Sequence, residues 1–588
     1  MPVSPNEVAI DLGRDALLSA HAIETLRDRY LVEGETSPQQ AFARAAAAFA
    51  DDAAHAQRLY DYASKGWFMF ATPLLSNGGT SRGLPISCYL NYMADSRAGI
   101  NQHYEETSWL SSLGGGVGGY IGARGPEATS RGSASSGAIP FIAVLDRMML
   151  AFSQGKTRRG SYAAYLDISH PEIDEFLEIR KPSGGDANRK ALNLHHAVVI
   201  TDEFMHACIN DEDWELKSPK TGHVKKVVSA RGLMRKIVET RHQTGEPFIL
   251  FKDTAQRALP EPLKAKGLTI NQSNLCTEIM LPTSADRTAV CCLSSTNLTK
   301  FDEWKDDPLF IEDLMRMLDN TLDDFIAKAP PELWRAVNSA RNERSVGLGA
   351  MGLQTYLQDK MLVWGGDTAR AYNVMIFEHL QAKTVEASLK LGRERGEAPD
   401  MEGTGHRFSH RMAVAPNASS SIFVPDGPIS PSIEQFPENI FIHKTLSGSH
   451  KVYNPALKNL LASKGKDESK VWKSILANDG SVQHLDFLSD HEKRVFLTAF
   501  ETDQRLTIQM ANDRAGFVDQ GVSLNLSFPA YVDADYLLEC HFMAWAGGTK
   551  SLYYVRSKTL KKAENMNTKV AQMELIAPEP EECLACEG

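Results

Sequence analysis

From Thr72 to Tyr554 the chain alternates helical patterns with short apolar runs, and no linker divides the region. Ala197-Val198-Val199-Ile200, Pro247-Phe248-Ile249-Leu250-Phe251 and Ser551-Leu552-Tyr553-Tyr554-Val555 are such runs. This alternation restricts the fold to the α/β class. A body this large needs ample apolar material, and 43% of the 588 residues are apolar. No internal repeat is visible. Residues 36–66 read as one helix: Ser37-Pro38-Gln39-Gln40 offers a capping box with Pro at the first helical position, the interior is Ala-rich, and Gly66 is a stop. The expected organisation is a small helical N-terminal segment at 1–70, the α/β body at 71–556, and a polar, mobile tail at 557–588 containing Lys561-Lys562 and Pro578-Glu579-Pro580-Glu581-Glu582.

A net charge of −11 argues against a broad nucleic-acid-binding face. Anionic small molecules would need local clusters of Arg, Ser and backbone N–H groups. Met1 to Gly13 lacks the basic and apolar regions of a signal peptide. No stretch approaches the roughly 20 apolar residues of a membrane span. A soluble, cytoplasmic protein without membrane contact is expected.

The eight cysteines are Cys88, Cys208, Cys276, Cys291, Cys292, Cys540, Cys583 and Cys586. Sparse in a long chain without a secretion signal, they read as reduced, catalytic or redox-cycling thiols rather than a disulfide framework. Cys208 and Cys540 read as small core residues. In an extended backbone Asn274, Cys276 and Glu278 point to one side. That places an amide, a thiol and a carboxylate together, a chemical site rather than a packing one. Cys583-Leu584-Ala585-Cys586, among Glu and Pro residues at the chain end, suits a dithiol/disulfide couple that visits a distant partner. A metal half-site would need two more ligands, and none lies nearby.

Other motifs are weaker. Gly114 to Gly119 formally satisfies G-x-G-x-x-G, but it follows the helical stretch Tyr104 to Leu113 rather than a strand, so it is not read as a dinucleotide fingerprint. Gly155-Lys156-Thr157 lacks the first glycine of a P-loop, Leu150 standing in its place. Pro416-Asn417-Ala418-Ser419-Ser420-Ser421 offers hydroxyls and N–H groups suited to a phosphate, although alone it reads as a polar turn. Arg124, Arg131 and Arg158-Arg159-Gly160 sit in Gly-rich surroundings that fit either phosphate contacts or a solvated surface. Tyr553-Tyr554 reads as core strand, its two residues facing opposite sides, or as a pair of redox-active phenols.

Together and in order, these stretches resemble the large (α) subunit of class I ribonucleotide reductase, from Thr72 to Cys586. Thr72-Pro73 and Ser87-Cys88 look like the family's first substrate strand. Asn274 to Glu278 resembles its finger loop, and Cys291-Cys292-Leu293-Ser294-Ser295-Thr296-Asn297-Leu298 its second redox-cysteine strand. Pro416, Asn417, Ala418, Ser419, Ser420 and Ser421 resemble its substrate-phosphate loop, Tyr553-Tyr554 its radical relay, and Cys583/Cys586 its reducing tail.

The resemblance implies a ten-stranded α/β barrel of two half-barrels with Cys276 on a central finger loop. It implies a thiyl radical at Cys276, Glu278 as general base, Asn274 orienting substrate, and Cys88 with Cys291 supplying two electrons and becoming a disulfide. A radical site needs no depressed thiol pKa. Cys583 and Cys586 would reduce that disulfide, and thioredoxin or glutaredoxin would reset the tail. Thr72 and Ser87 would contact substrate, with diphosphates favoured.

The relay pair implies a separate, metal-containing small (β) subunit, and no cofactor or metal in this chain. A homodimer is implied whose interface binds a deoxynucleoside triphosphate effector at Asp95, Ser96, Arg124 and Arg131. Gln154 to Gly160, including Arg158, would link effector to substrate. With 71 residues before Thr72, the family's ATP-cone is expected to be absent, and with it shutdown by dATP through that route.

The alternatives are an adenosylcobalamin-dependent class II reductase, a thiol–disulfide oxidoreductase using the tail pair, and a non-catalytic nucleotide-binding protein. The tyrosine pair disfavours the first. Asn274 and Glu278 have no purpose in the second, and competent residues at every catalytic position disfavour the third.

Overall fold

The computed structural model describes residues 3–129, 132–152, 160–445 and 448–558. The N-terminal part is helical: α1 (Ala20–Arg29), α2 (Pro38–Ala48) and α3 (Ala53–Ser64). The expected single helix over 36–66 is therefore two. Its start is as read, with Ser37 and Gln40 forming a reciprocal capping box. Its interior breaks because Asn320 donates to the Phe49 carbonyl at 2.8 Å and to Asp51 Oδ1 at 2.8 Å. Asp52 then starts α3 by accepting the His55 N–H. Gly66 supplies the stop, with φ of 76°.

Five parallel strands follow in sequence: β1 (Cys88–Met93), β2 (Gly116–Ile121), β3 (Ser161–Asp167), β4 (His195–Ile200) and β5 (Phe248–Phe251). Nearly every residue in them is buried, as expected where helices and loops cover both faces of a parallel sheet. A second, oppositely directed set begins with β6 (Ala289–Asn297), antiparallel to β1 and parallel to β7 (Val346–Met351).

Backbone bonds then carry the sheet onward. Val346 and Leu348 donate to His410 and Arg411, Val414 donates to Gly521, Ser523 to Val414, and Tyr553 to Leu524. β8 (Ser551–Leu552) closes the circuit, antiparallel to β5. The eight strands and the segments 410–414 and 520–524 make ten staves, the α/β barrel of two half-barrels that was expected. No helix among the described residues is long and apolar enough to cross a membrane.

Candidate active site

The loop between β5 and β6 enters the barrel and is held there by its backbone carbonyls. The Tyr165 hydroxyl donates to Asn274 O at 2.6 Å, Ser523 Oγ to Cys276 O at 2.6 Å, and Ser551 Oγ to Thr277 O at 2.7 Å. Gly521 N–H donates to Glu278 O at 2.7 Å. Donors from both half-barrels thus fix one loop, and each of these four carbonyls has its partner. Two glycines make room for it. A Cβ on Gly118 would overlap the Ser273 carbonyl, and one on Gly521 would meet the Met280 methyl at 2.7 Å. The glycine-rich stretch 114–119 therefore serves close backbone approach.

The segment 274–278 is not extended. Thr277 N–H donates to Asn274 O at 3.3 Å, and Thr277 has a φ of 67°. Asn274 Oδ1 accepts the N–H groups of Glu278 and Ile279 at 3.0 and 3.1 Å. The asparagine side chain folds the loop tip into a turn, so period-two alternation does not apply.

The turn buries all three side chains and keeps the Asn274 amide within hydrogen-bonding reach of the Glu278 carboxylate. Asn274 Nδ2 lies 3.7 Å from Cys88 Sγ. Glu278 Oε2 lies 3.1 Å from Ser523 Oγ. Cys276 shares a core with Tyr553, Leu275 and Met280.

Cys88 and Cys291 face each other in register across β1 and β6. Antiparallel partners sit about 4.5–5.5 Å apart at Cα, within the range a disulfide spans. Both are present as thiols here. Cys291 Sγ lies 3.4 Å from Gln520 Nε2 and 3.9 Å from Ser345 Oγ. Cys292 Sγ turns the other way, to Leu318 O at 3.2 Å, as strand alternation requires. Burial, with Cys292 alongside, pushes the Cys291 thiol well up despite Gln520, so it stays protonated. A protonated thiol suits hydrogen and proton delivery. Cys208 and Cys540 are buried core residues as read.

Burial raises the Glu278 carboxyl to about 7, only partly offset by hydrogen bonds to its carboxylate. A base poised there is charged above pH 7 and neutral below it. The acid limb of the kcat/KM profile should therefore fall near pH 7, and Glu278→Gln should cost roughly 10²–10⁴-fold in kcat. A flat profile from pH 6 to 8 would remove Glu278 from the base role.

Tyr553 and Tyr554 do not face opposite sides: their rings lie 4.3 Å apart at 54°. Pairing with β5 ends at Leu552, and ladder pairing of the strand Val555–Ser557 with the strand Leu526–Phe528 begins at Val555. The two tyrosines occupy the gap, so alternation is lost.

Thr72 opens the short helix Thr72–Asn77, with its hydroxyl 3.2 Å from that of Tyr30. The Phe68–Phe70 strand just before it packs against residues 420–422 of the serine loop. That loop is fixed by Asn417, which has φ of 55° and donates to Ser295 Oγ at 2.8 Å. Ser419, Ser420 and Ser421 are buried there. Ser87 lies beside Cys88, with Oγ and Sγ 4.0 Å apart.

Of the residues assigned to the effector, Asp95 and Arg124 meet. Arg124 pairs with Asp95 at 2.8 Å, and Ser96 caps the helix Arg97–Ser112. Arg131, Arg158, Cys583 and Cys586 lie outside the described residues. Sequence reasoning missed Gln520, Ser523 and Ser345. Nothing in Asp519-Gln520-Gly521-Val522-Ser523 distinguishes it from an ordinary strand entry.

Residues 86–406 and 400–555 match the family model described as "Ribonucleotide reductase, barrel domain", and residues 16–83 match "Ribonucleotide reductase, all-alpha domain". The chain belongs to the ribonucleotide reductase large-subunit family. As a ribonucleotide reductase it is an oxidoreductase of deoxyribonucleotide synthesis. It is 47% identical to a putative ribonucleoside-diphosphate reductase large subunit of Frog virus 3 (isolate Goorha), over 91% of this chain and 92% of that one. It is 42% identical to the ribonucleoside-diphosphate reductase large subunit of Invertebrate iridescent virus 3, over 99% of this chain and 100% of the other. Among solved structures, the class Id ribonucleotide reductase alpha subunit of Actinobacillus ureae superposes with a TM-score of 0.81 at 35% identity, covering 92% of this chain and 97% of that one.

Proposed function

We propose that this chain is the catalytic subunit of a class I ribonucleoside-diphosphate reductase and that its turn-borne Cys276 carries the radical. The observation that supports this most is the direct register of Cys88 and Cys291, beside the Asn274 amide. A thiyl at Cys276 takes the 3′ hydrogen of the substrate ribose, forming S–H and a C3′ radical. Glu278 accepts the 3′-hydroxyl proton, and Cys88 protonates the 2′-hydroxyl, which leaves as water. Cys88 and Cys291 give two electrons and the remaining thiol hydrogen to C2′ as they close an S–S bond, Glu278 returns its proton to the 3′ oxygen, and Cys276 returns its hydrogen atom to C3′. The dithiol is oxidised and the nucleotide reduced, one water per turnover.

Thr72, Ser87 and the loop 416–421 hold the substrate and its diphosphate. Cys583 and Cys586 reopen the disulfide and are reset by thioredoxin or glutaredoxin. Tyr554 and Tyr553 receive the oxidising equivalent from a separate, metal-containing small subunit. The cytoplasmic chain works as a homodimer whose deoxynucleoside triphosphate effector lies near Asp95, Ser96, Arg124, Arg131 and Arg158. In domain terms, the helical segment 1–70 precedes the barrel 71–556, and 557–588 is the redox tail.

The test is reduction of a ribonucleoside diphosphate with and without a small subunit and thioredoxin. Product is expected only when both are present, and Cys291→Ser should abolish repeated turnover. Reduction with adenosylcobalamin alone would replace this reading by the class II one. Insulin reduction without nucleotide reduction would replace it by a thiol oxidoreductase.

A further inference from the structure

Tyr554 is partly exposed, whereas Tyr553 is buried. Phe248 touches both rings, at 4.7 Å from Tyr553 and 4.8 Å from Tyr554. His195, the first residue of β4, stacks on Phe248 at 5.8 Å and stands edge-on to Tyr554 at 5.9 Å. Its Nδ1 lies 2.6 Å from Glu246 Oε1 and 3.3 Å from the Tyr554 oxygen.

Glu246 is buried. Its other oxygen accepts the His196 backbone N–H at 3.1 Å, lies 3.1 Å from His196 Nδ1, and is 3.6 Å from Arg180 Nε. Burial alone would raise this carboxyl, but Arg180 and the two histidines outweigh it and hold it well below the usual range. A carboxylate at 2.6 Å fixes the proton on His195 Nδ1. That N–H is therefore shared, strongly with Glu246 and weakly with the phenol oxygen. An oxygen that accepts from His195 directs its own O–H elsewhere.

We infer that His195 and Glu246 are positioning residues for Tyr554: the carboxylate holds the imidazole, and the imidazole holds the phenol against Tyr553. This rests on the relay reading above. A purely structural Glu246 would need only the oxygen that meets His196 and Arg180. Its second oxygen instead aims His195 at the half-exposed tyrosine. Without this hold the Tyr554 ring is free to swing outward, lengthening the step to Tyr553.

The test places 3-aminotyrosine at position 554 of the full chain, with small subunit, substrate and effector present, and records the trapped radical by electron paramagnetic resonance. In the otherwise unchanged chain a radical is expected. His195→Phe keeps a ring without the N–H, and Glu246→Gln removes the anchoring charge. In either variant the exchangeable-proton coupling at the radical should weaken. With Tyr554 natural, kcat should fall roughly ten- to a hundred-fold at unchanged KM. His195→Gln, which restores a donor, should recover part of the loss.

Unaltered coupling and unaltered kcat in Glu246→Gln and His195→Phe would overturn the inference. If His195→Phe does not fold, the coupling and kcat of Glu246→Gln decide alone. Absence of any radical in the otherwise unchanged aminotyrosine chain would overturn the relay reading itself, a distinct result.

Discussion

A Cys276→Ser chain should bind substrate and effector normally and release no deoxynucleotide, not even one equivalent per subunit. The sulfur is the one atom at the loop tip able to exchange a hydrogen atom with a ribose carbon. An alcohol O–H is much stronger than a thiol S–H, so the substituted oxygen cannot be turned into a radical by a tyrosine. The substitution is nearly isosteric, and it leaves in place the turn's holding bonds through Asn274 Oδ1 and the backbone carbonyls. Single-turnover product analysis with pre-reduced protein separates this from the redox cysteines. Any stoichiometric product from Cys276→Ser would assign the radical elsewhere.

Tyr554→Phe should be equally silent for a different reason. The ring contacts with Tyr553, Phe248 and His195 survive the change, so folding and substrate affinity should stay near those of the parent chain. The phenolic group is lost, and with it both the contact to His195 Nδ1 and a one-electron donor. Turnover supported by the small subunit should disappear while equilibrium binding of substrate is unchanged. Preserved turnover would mean that electrons enter by a route that bypasses the tyrosines.

The regular parts of this molecule were readable because regular structure has a period. Cys291 and Cys292 lie on opposite faces because β6 is an uninterrupted strand. The apolar runs at 197–200 and 248–251 are staves because parallel strands are buried on both faces. The irregular parts were not readable. The turn at 274–278 depends on donors from Tyr165, Ser523, Ser551 and Gly521, more than a hundred residues from it in the case of the three side chains. The same holds for the break in the N-terminal helix, which Asn320 imposes from a distant helix. Tyr553 and Tyr554 come together because a strand stops between them and its neighbours, which no alternation rule anticipates. Residue identities named the chemistry, while long-range hydrogen bonds set its geometry.

The stave that seals the barrel, Ser551–Leu552, runs directly into Tyr553 and Tyr554. Closure and wiring are thus one event. Until the last stave docks against β5, Tyr553 is not seated in the core it shares with Cys276. On the proposed relay, an unfinished or frayed molecule is therefore electrically disconnected, and the thiyl arises only inside a sealed chamber. On that relay the fold acts as an interlock, tying radical delivery to closure of the barrel.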